Sequence, residues 1–209
     1  MTFNSAQIRI CALAFMLLDH TAIVFFQDSA YYPVLRSIGR LAFPLFCFLL
    51  VEGYLHTYDA FRYILRVFGL SVLSQPLYIL MTGNSCLNVC FLFWLALASF
   101  YLQKCCVTLP GKIAVAISFL ILSLFCEYGI LGMLLIYALY YLPDYPYSYF
   151  LTVLIVLVLL SFDFAGIAAL SMVFMTFYDG TLGPKMPKLM VYGFYPVHMV
   201  LLLCIHIFV

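Results

Sequence analysis

The 209 residues are 67% hydrophobic and 8% charged, with a formal net charge of +1 and a mean hydropathy of +1.17. Soluble domains carry about 25% charged residues, so no part of this chain reads as a soluble domain. A near-neutral charge gives no footing for a nucleic-acid partner.

The length suits one domain covering 1–209, and the apolar runs are continuous. About 20 apolar residues cross the hydrocarbon as a helix, and lipid demands that every backbone polar group be satisfied internally. A barrel would instead show short alternating segments. The fold class is therefore all-α, a polytopic transmembrane helix bundle of about nine helices. The runs lie at roughly 8–26, 38–57, 63–81, 86–103, 111–126, 128–142, 149–162, 164–178 and 189–209. Gly and Pro punctuate the gaps at Gly83, Pro110-Gly111, Pro143 to Pro146 and Asp179 to Pro187. The runs 128–142, 149–162 and 164–178 are short for a full crossing.

The first run holds Asp19 and His20 and lacks a small-residue cleavage site, so it reads as a retained helix. The second run carries Arg40, Glu52 and His56. Glu127 sits at the junction of the fifth and sixth runs, Asp163 between the seventh and eighth, and His198 and His206 in the ninth. Ionisable groups inside a span are costly and mark function. Asp19 and His20 are sequence neighbours and point about 100° apart on a helix, so each needs a partner elsewhere; Arg40 is the candidate for Asp19. Asp19, His20, Arg40 and Glu52 are expected to face the bundle interior together. Glu52 and His56 share a helical face, and His56 reads equally well as a helix-end residue. Tyr195 and His198 flank Pro196, which bends the backbone between them. Asp144 and Asp163 read as caps or solvated turn residues, and His206 as interfacial.

Arg9, Arg62, Arg66, Lys104, Lys112, Lys185 and Lys188 fall on one side of a nine-helix bundle. That side should be cytoplasmic, with the N-terminus inside and the C-terminus outside. Arg36 and Arg40 break the pattern. The eight cysteines sit largely in apolar runs as small hydrophobes. No Cys/His spacing suggests a metal site; Cys105 and Cys106 are simpler as helix-end residues than as palmitoylation sites.

In chain order the sequence presents Leu18-Asp19-His20, then Ile38-Gly39-Arg40-Leu41-Ala42-Phe43-Pro44-Leu45-Phe46 running on to Glu52-Gly53. Ser74-Gln75-Pro76, Leu87-Asn88-Val89, Glu127-Tyr128-Gly129 and Tyr192-Gly193-Phe194-Tyr195-Pro196-Val197-His198 follow. This ordered set, spanning about residues 7–205, resembles the TraX family. The resemblance implies an inner-membrane acetyltransferase that uses acetyl-CoA as co-substrate, without a metal, and acetylates the N-terminal amine of a conjugative pilin. A cell-envelope glycan or a small molecule is the other class of acceptor, and membrane lipid is the surrounding partner.

Acetyl transfer needs a base for the acceptor's proton and stabilisation of an oxyanion. His20 is the expected base, with Asp19, Arg40 and His198 completing the catalytic set. Glu52, His56, Tyr195, Gln75, Asn88 and Glu127 are expected to contact substrate. Arg62, Arg66, Lys104 and Lys112 are candidates for the coenzyme phosphates, or simply residues of the positive side. No Gly-rich phosphate loop is present. The rival reading is a proton-coupled transporter, which would also need intramembrane Asp, Glu, His and Arg, though the inverted repeats common in transporters are not evident.

Overall fold

A computed structural model describes residues 2–143, 146–160, 166–187 and 189–208. Asp144, Asp163 and Lys188 lie outside the described residues. Ten α-helices run α1 Ser5–Phe25, α2 Tyr32–Gly39, α3 Ala42–Leu55, α4 Ala60–Thr82, α5 Val89–Cys105, α6 Leu109–Leu122, α7 Gly129–Tyr141, α8 Pro146–Leu160, α9 Ser171–Thr176 and α10 Phe194–Phe208. The expected second helix is thus two, α2 and α3, broken at Arg40 and Leu41. A 3₁₀ turn, Ile167–Leu170, leads into α9. With α2–α3 counted as one pass and Ile167–Thr176 as another, the described chain makes the expected nine. Ser5–Phe25, Tyr32–Leu55, Ala60–Thr82 and Leu189–Phe208 are long and apolar enough to cross a membrane.

Local chemistry sets the ends. Asn4 and Gln7 form a reciprocal capping box at α1. Asp59 caps α4, Asn88 caps α5 and Thr108 caps α6. Gly83, in the left-handed region, closes α4. A π-turn, Leu189–Gly193, precedes α10. Pro196 has no N–H for the carbonyl of Tyr192, so a regular α-ladder cannot run through this stretch.

Helix α1 packs against α2, α3 and α10, and α4 against α5 and α10. Two apolar clusters fill the interior. The larger centres on Phe43, Leu45, Leu92, Phe100, Met133 and Ile136. The smaller joins Leu13 and Met16 to Ala42, Cys90, Tyr195 and Met199. Helix α6 buries none of its residues, and Leu73, Leu80, Ile117, Ile121, Leu159 and Leu201 are exposed. In water such a surface would be unsustainable; against lipid tails it costs nothing.

The two ends of the bundle are tied differently. At the Ser5 end, the N-terminal strand of backbone is clasped to the segment after α9: Phe3 N–H to the Phe177 carbonyl (2.8 Å), Asp179 N–H to Phe3 (2.9 Å) and Ser5 N–H to Thr181 (2.9 Å). At the Phe25 end, Leu87 N–H donates to Phe125 (2.9 Å) and Glu127 N–H to Leu87 (2.8 Å). The second clasp fixes the Glu127–Tyr128 loop over the start of α5.

Helices α1 and α2 meet at Gly39, which is buried. A Cβ there would lie 2.5 Å from both Cβ and Oδ1 of Asp19 and 2.8 Å from its Cα. Two of those atoms are the anchored root of the side chain, so the helices themselves would have to part. Gly39→Ala is expected to destabilise the protein by about 1–3 kcal/mol, the usual cost of overpacking. Thermal unfolding in detergent checks this; a melting point matching wild type would show that the helices are not in such close contact.

Candidate functional site

Asp19 and His20 lie about four turns into α1. Asp19 is buried and its carboxylate is bonded and ion-paired to Arg36 on α2. The hydrogen-bonded partner is Arg36, with the expected Arg40 acting on Asp19 through its charge alone among the interactions described: the second helix begins at Tyr32 rather than near residue 38, which places Arg36 on its last turn beside Asp19. Asp19 Oδ1 and Arg36 Nε have no hydrogen-bond partner among the described residues. Arg40, at the break, reaches the Tyr128 hydroxyl at 3.4 Å and lies 5.8 Å from its ring centre. It also interacts electrostatically with Asp19 and Glu127. Tyr128 is held in the left-handed region at φ 66°, a strained setting for a non-glycine residue. Its ring stacks on Phe43 with centroids 3.7 Å apart.

His20 pairs across the helix interface with His198 of α10. Their rings meet edge to edge, with planes 7° apart and centroids 4.8 Å apart, and His20 Nδ1 lies 2.5 Å from His198 Nε2. The protons can be placed from chemistry alone. His198 Nδ1 lies 2.7 Å from the Phe194 carbonyl, and a carbonyl only accepts, so Nδ1 carries the hydrogen. Neutral His198 then presents an acceptor at Nε2, and His20 Nδ1 must donate to it. The basic lone pair of the couple is left on His20 Nε2. Tyr195 lies beside both rings, 6.1 Å from His20 and 5.9 Å from His198 between centroids.

A cavity of about 350 Å³ runs inward from the Ser5 end as far as Tyr195, the residue beside both rings; neither His20 nor His198 lines it. Arg9, Arg66 and Glu52 stand at its outer part, Leu13, Met16 and Phe46 along its walls, and Cys90 and Tyr195 at depth. Arg9 and His20 are eleven residues apart on α1, about 16 Å along the axis. Arg66 is fixed between two rings, its guanidinium 5.7 Å from the centres of Tyr63 and Tyr192.

Glu52 therefore does not join Asp19, His20 and Arg40. It faces the interior about three turns away, accepting from the Tyr178 hydroxyl at 3.2 Å. His56 Nδ1 donates to the Glu52 carbonyl at 2.9 Å, closing α3, and its side chain is 62% exposed. Gln75 and Asn88 are engaged with backbone. Gln75 donates to the Cys86 carbonyl (2.9 Å) and accepts from Asn88 N–H (2.8 Å). Asn88 donates to the Ser71 carbonyl (3.0 Å) and accepts from Cys90 N–H (2.9 Å). Of the four expected phosphate-binding cations, Arg66 alone lines the cavity. Arg62 is ion-paired with Asp59, Lys104 lies over the Tyr54 ring at 4.6 Å, and Lys112 is exposed on α6.

The family described as TraX protein matches residues 4–206. The chain belongs to the TraX family. A curated relative, the probable fimbrial assembly protein FimC of serogroup H1 from Dichelobacter nodosus, is 30% identical, covering 96% of this chain and 94% of its own. No solved structure matches. Within this TraX-family chain the residues that sequence reasoning passed over are Arg36, Arg9, Tyr63 and Tyr192. Arg36 carried a readable signal: it is one helical turn from Arg40 and shares its face.

Proposed function

We propose that the chain is an integral-membrane acetyltransferase of the bacterial inner membrane. It moves an acetyl group from acetyl-CoA to an amine, and the family and the fimbrial relative favour the N-terminal amine of a pilin subunit. The observation that carries the reading is the hydrogen-bonded order Phe194 carbonyl, His198, His20, which leaves His20 Nε2 basic beside Tyr195, the residue that closes the inner end of a cavity bearing Arg9 and Arg66.

Acetyl-CoA would supply the activated thioester, and the cavity suits it chemically: cations toward the mouth for phosphates and apolar walls for an uncharged arm. The chain's own residues do the rest. His20 Nε2 takes the acceptor's proton, and His198 orients the imidazole and stabilises the imidazolium through its Nε2. An orienting group on a base plays the same part in acyl-transfer triads. The Asp19–Arg36 and Arg40–Tyr128 contacts hold two guanidinium groups near the break, a positive field for an oxygen that gains charge. The Ser5 end, where Arg9, Arg62, Arg66, Lys104, Lys112 and Lys185 gather, is the cytoplasmic side.

The test is transfer of labelled acetyl from acetyl-CoA by purified protein to a peptide bearing a free N-terminal amine. Arg66→Ala and Arg9→Ala are each expected to raise the KM for acetyl-CoA about tenfold, the loss of a charge-assisted phosphate contact worth about 1.5 kcal/mol. Lys112→Ala is expected to leave it unchanged. Equal effects of Lys112 and Arg66 would mean that the positive end acts only as a diffuse field, and would displace the cavity as the donor site.

A further inference from the structure

We propose that a second pocket, at the Phe25 end of the same α1/α4/α10 seam, admits the acyl acceptor and selects for a primary ammonium. The proposal rests on the acetyltransferase reading above. The pocket, of about 550 Å³, is bounded by the last turn of α1 and the residues after it, the end of α4 and the end of α10. Gln27, Asp28, Ser29, Met81, Leu203 and His206 are among its lining residues.

The two pockets lie on either side of the histidine pair. Ile23 and Val24, which line the second, are three and four residues beyond His20, about 5–6 Å along α1; Leu203 is five beyond His198, about 8 Å. Their charges are opposed. Arg9 and Arg66 outweigh Glu52 in the first cavity. In the second, Asp28 is the one charged lining residue among those described. The neighbouring polar groups also favour a donor-rich ligand. One N–H of the Gln27 amide donates to the Ile23 carbonyl at 2.7 Å, which orients the amide and leaves its Oε1 to accept. A phosphate or carboxylate would meet Asp28 with no lining cation to offset it. A sugar hydroxyl would gain nothing from the charge. An ammonium, with three N–H donors and one positive charge, is matched by Asp28 and Gln27 Oε1.

Capture and reaction occur at different depths. At Asp28 the amine is held charged and has no lone pair to offer. Deeper in the seam it gives up one proton to water and becomes a nucleophile. Its lone pair then adds to the thioester carbon. The C–N bond forms as the C–S bond breaks, and the proton lost by nitrogen passes through His20 Nε2 to the departing thiolate.

Asp28 is exposed in the turn after α1, so Asp28→Asn should not disturb folding. Binding is measured on the purified protein with a fluorescent peptide bearing a free N-terminal amine, and with the same peptide formylated at that amine. Asp28→Asn is expected to weaken the free-amine peptide about fivefold and to leave coenzyme A binding unchanged. In the transfer assay it should raise the KM for the amine with kcat close to wild type. Equal affinity of the variant and wild type for the free-amine peptide, or equal affinity of wild type for both peptides, would overturn the proposal. Asp28-dependent amine binding without any acetyl transfer would support this pocket and overturn the acetyltransferase reading, which keeps the two failures distinct.

Discussion

His20→Ala loses about 10²–10⁴-fold in acetyl transfer, the ordinary contribution of a positioned base, equivalent to about 3–5 kcal/mol of barrier. Coenzyme A binding survives the change, because the cations of the donor cavity lie about 16 Å away along α1. His198→Ala falls between His20→Ala and wild type, since it removes the group that orients His20 Nδ1 while leaving Nε2 in place. His198→Gln recovers part of that loss, because an amide oxygen can accept the same hydrogen. The measurement is single-turnover transfer of labelled acetyl alongside coenzyme A binding by the same preparations. If His20→Ala turns over like wild type and His198→Ala is dead, the base belongs to α10. If neither variant alters coenzyme A-dependent chemistry, proton-coupled transport becomes the better account of the buried charges.

Asp19→Ala has the largest expected effect on stability. Both side chains of the Asp19–Arg36 pair are only 12% exposed. Removing the carboxylate strands a guanidinium beneath α1, and breaking a buried pair on one side costs about 3–5 kcal/mol. The double variant Asp19→Ala, Arg36→Met is expected to recover most of this, because the uncompensated charge is gone. Among the described residues Asp19 Oδ1 and Arg36 Nε already lack hydrogen-bond partners, which makes an apolar replacement of the pair less costly still. Unfolding of purified protein in mixed micelles reads both values. A single variant as stable as wild type, or a double variant no better than the single, would show that the pair does not hold α1 to α2.

The bundle was legible because each apolar run must satisfy its own backbone and each Gly or Pro cluster interrupts one. Asp19, His20, Arg40 and His198 stood out for the same reason: a polar side chain in a hydrocarbon setting demands a partner. Which partner it finds depends on where helices begin and how they cross. Pro33, in the first turn of α2, favours a helix start well before the apolar run becomes continuous, and that shift of six residues moves Arg36 from the bundle's edge to the side of Asp19. The His20–His198 bond joins the first and last helices described, and no local pattern encodes it. Gln75 and Asn88 drew attention as polar residues of the family's motifs. In the fold their amides secure α4 to the start of α5, an ordinary duty for amides beside a turn. The tyrosines around Arg66 could not be singled out, because 17 tyrosines in a chain with wide aromatic belts give little contrast.

The pairing of α1 with α10 has a consequence for biogenesis. The two paired histidines are 178 residues apart, and the backbone clasp at the Ser5 end likewise waits for residues 177–181. A nascent chain inserts α1 first and must keep Asp19 and His20 in lipid or in the insertion machinery until almost everything else has been made. Contacts of such long sequence separation form late. A chain arrested anywhere before α10 would possess Arg9 on α1 and Arg66 on α4 yet have His20 without its hydrogen-bonded partner His198. On the acetyltransferase reading proposed above, competence would arrive in one step with the closing helix, and a product truncated before α10 would be inactive.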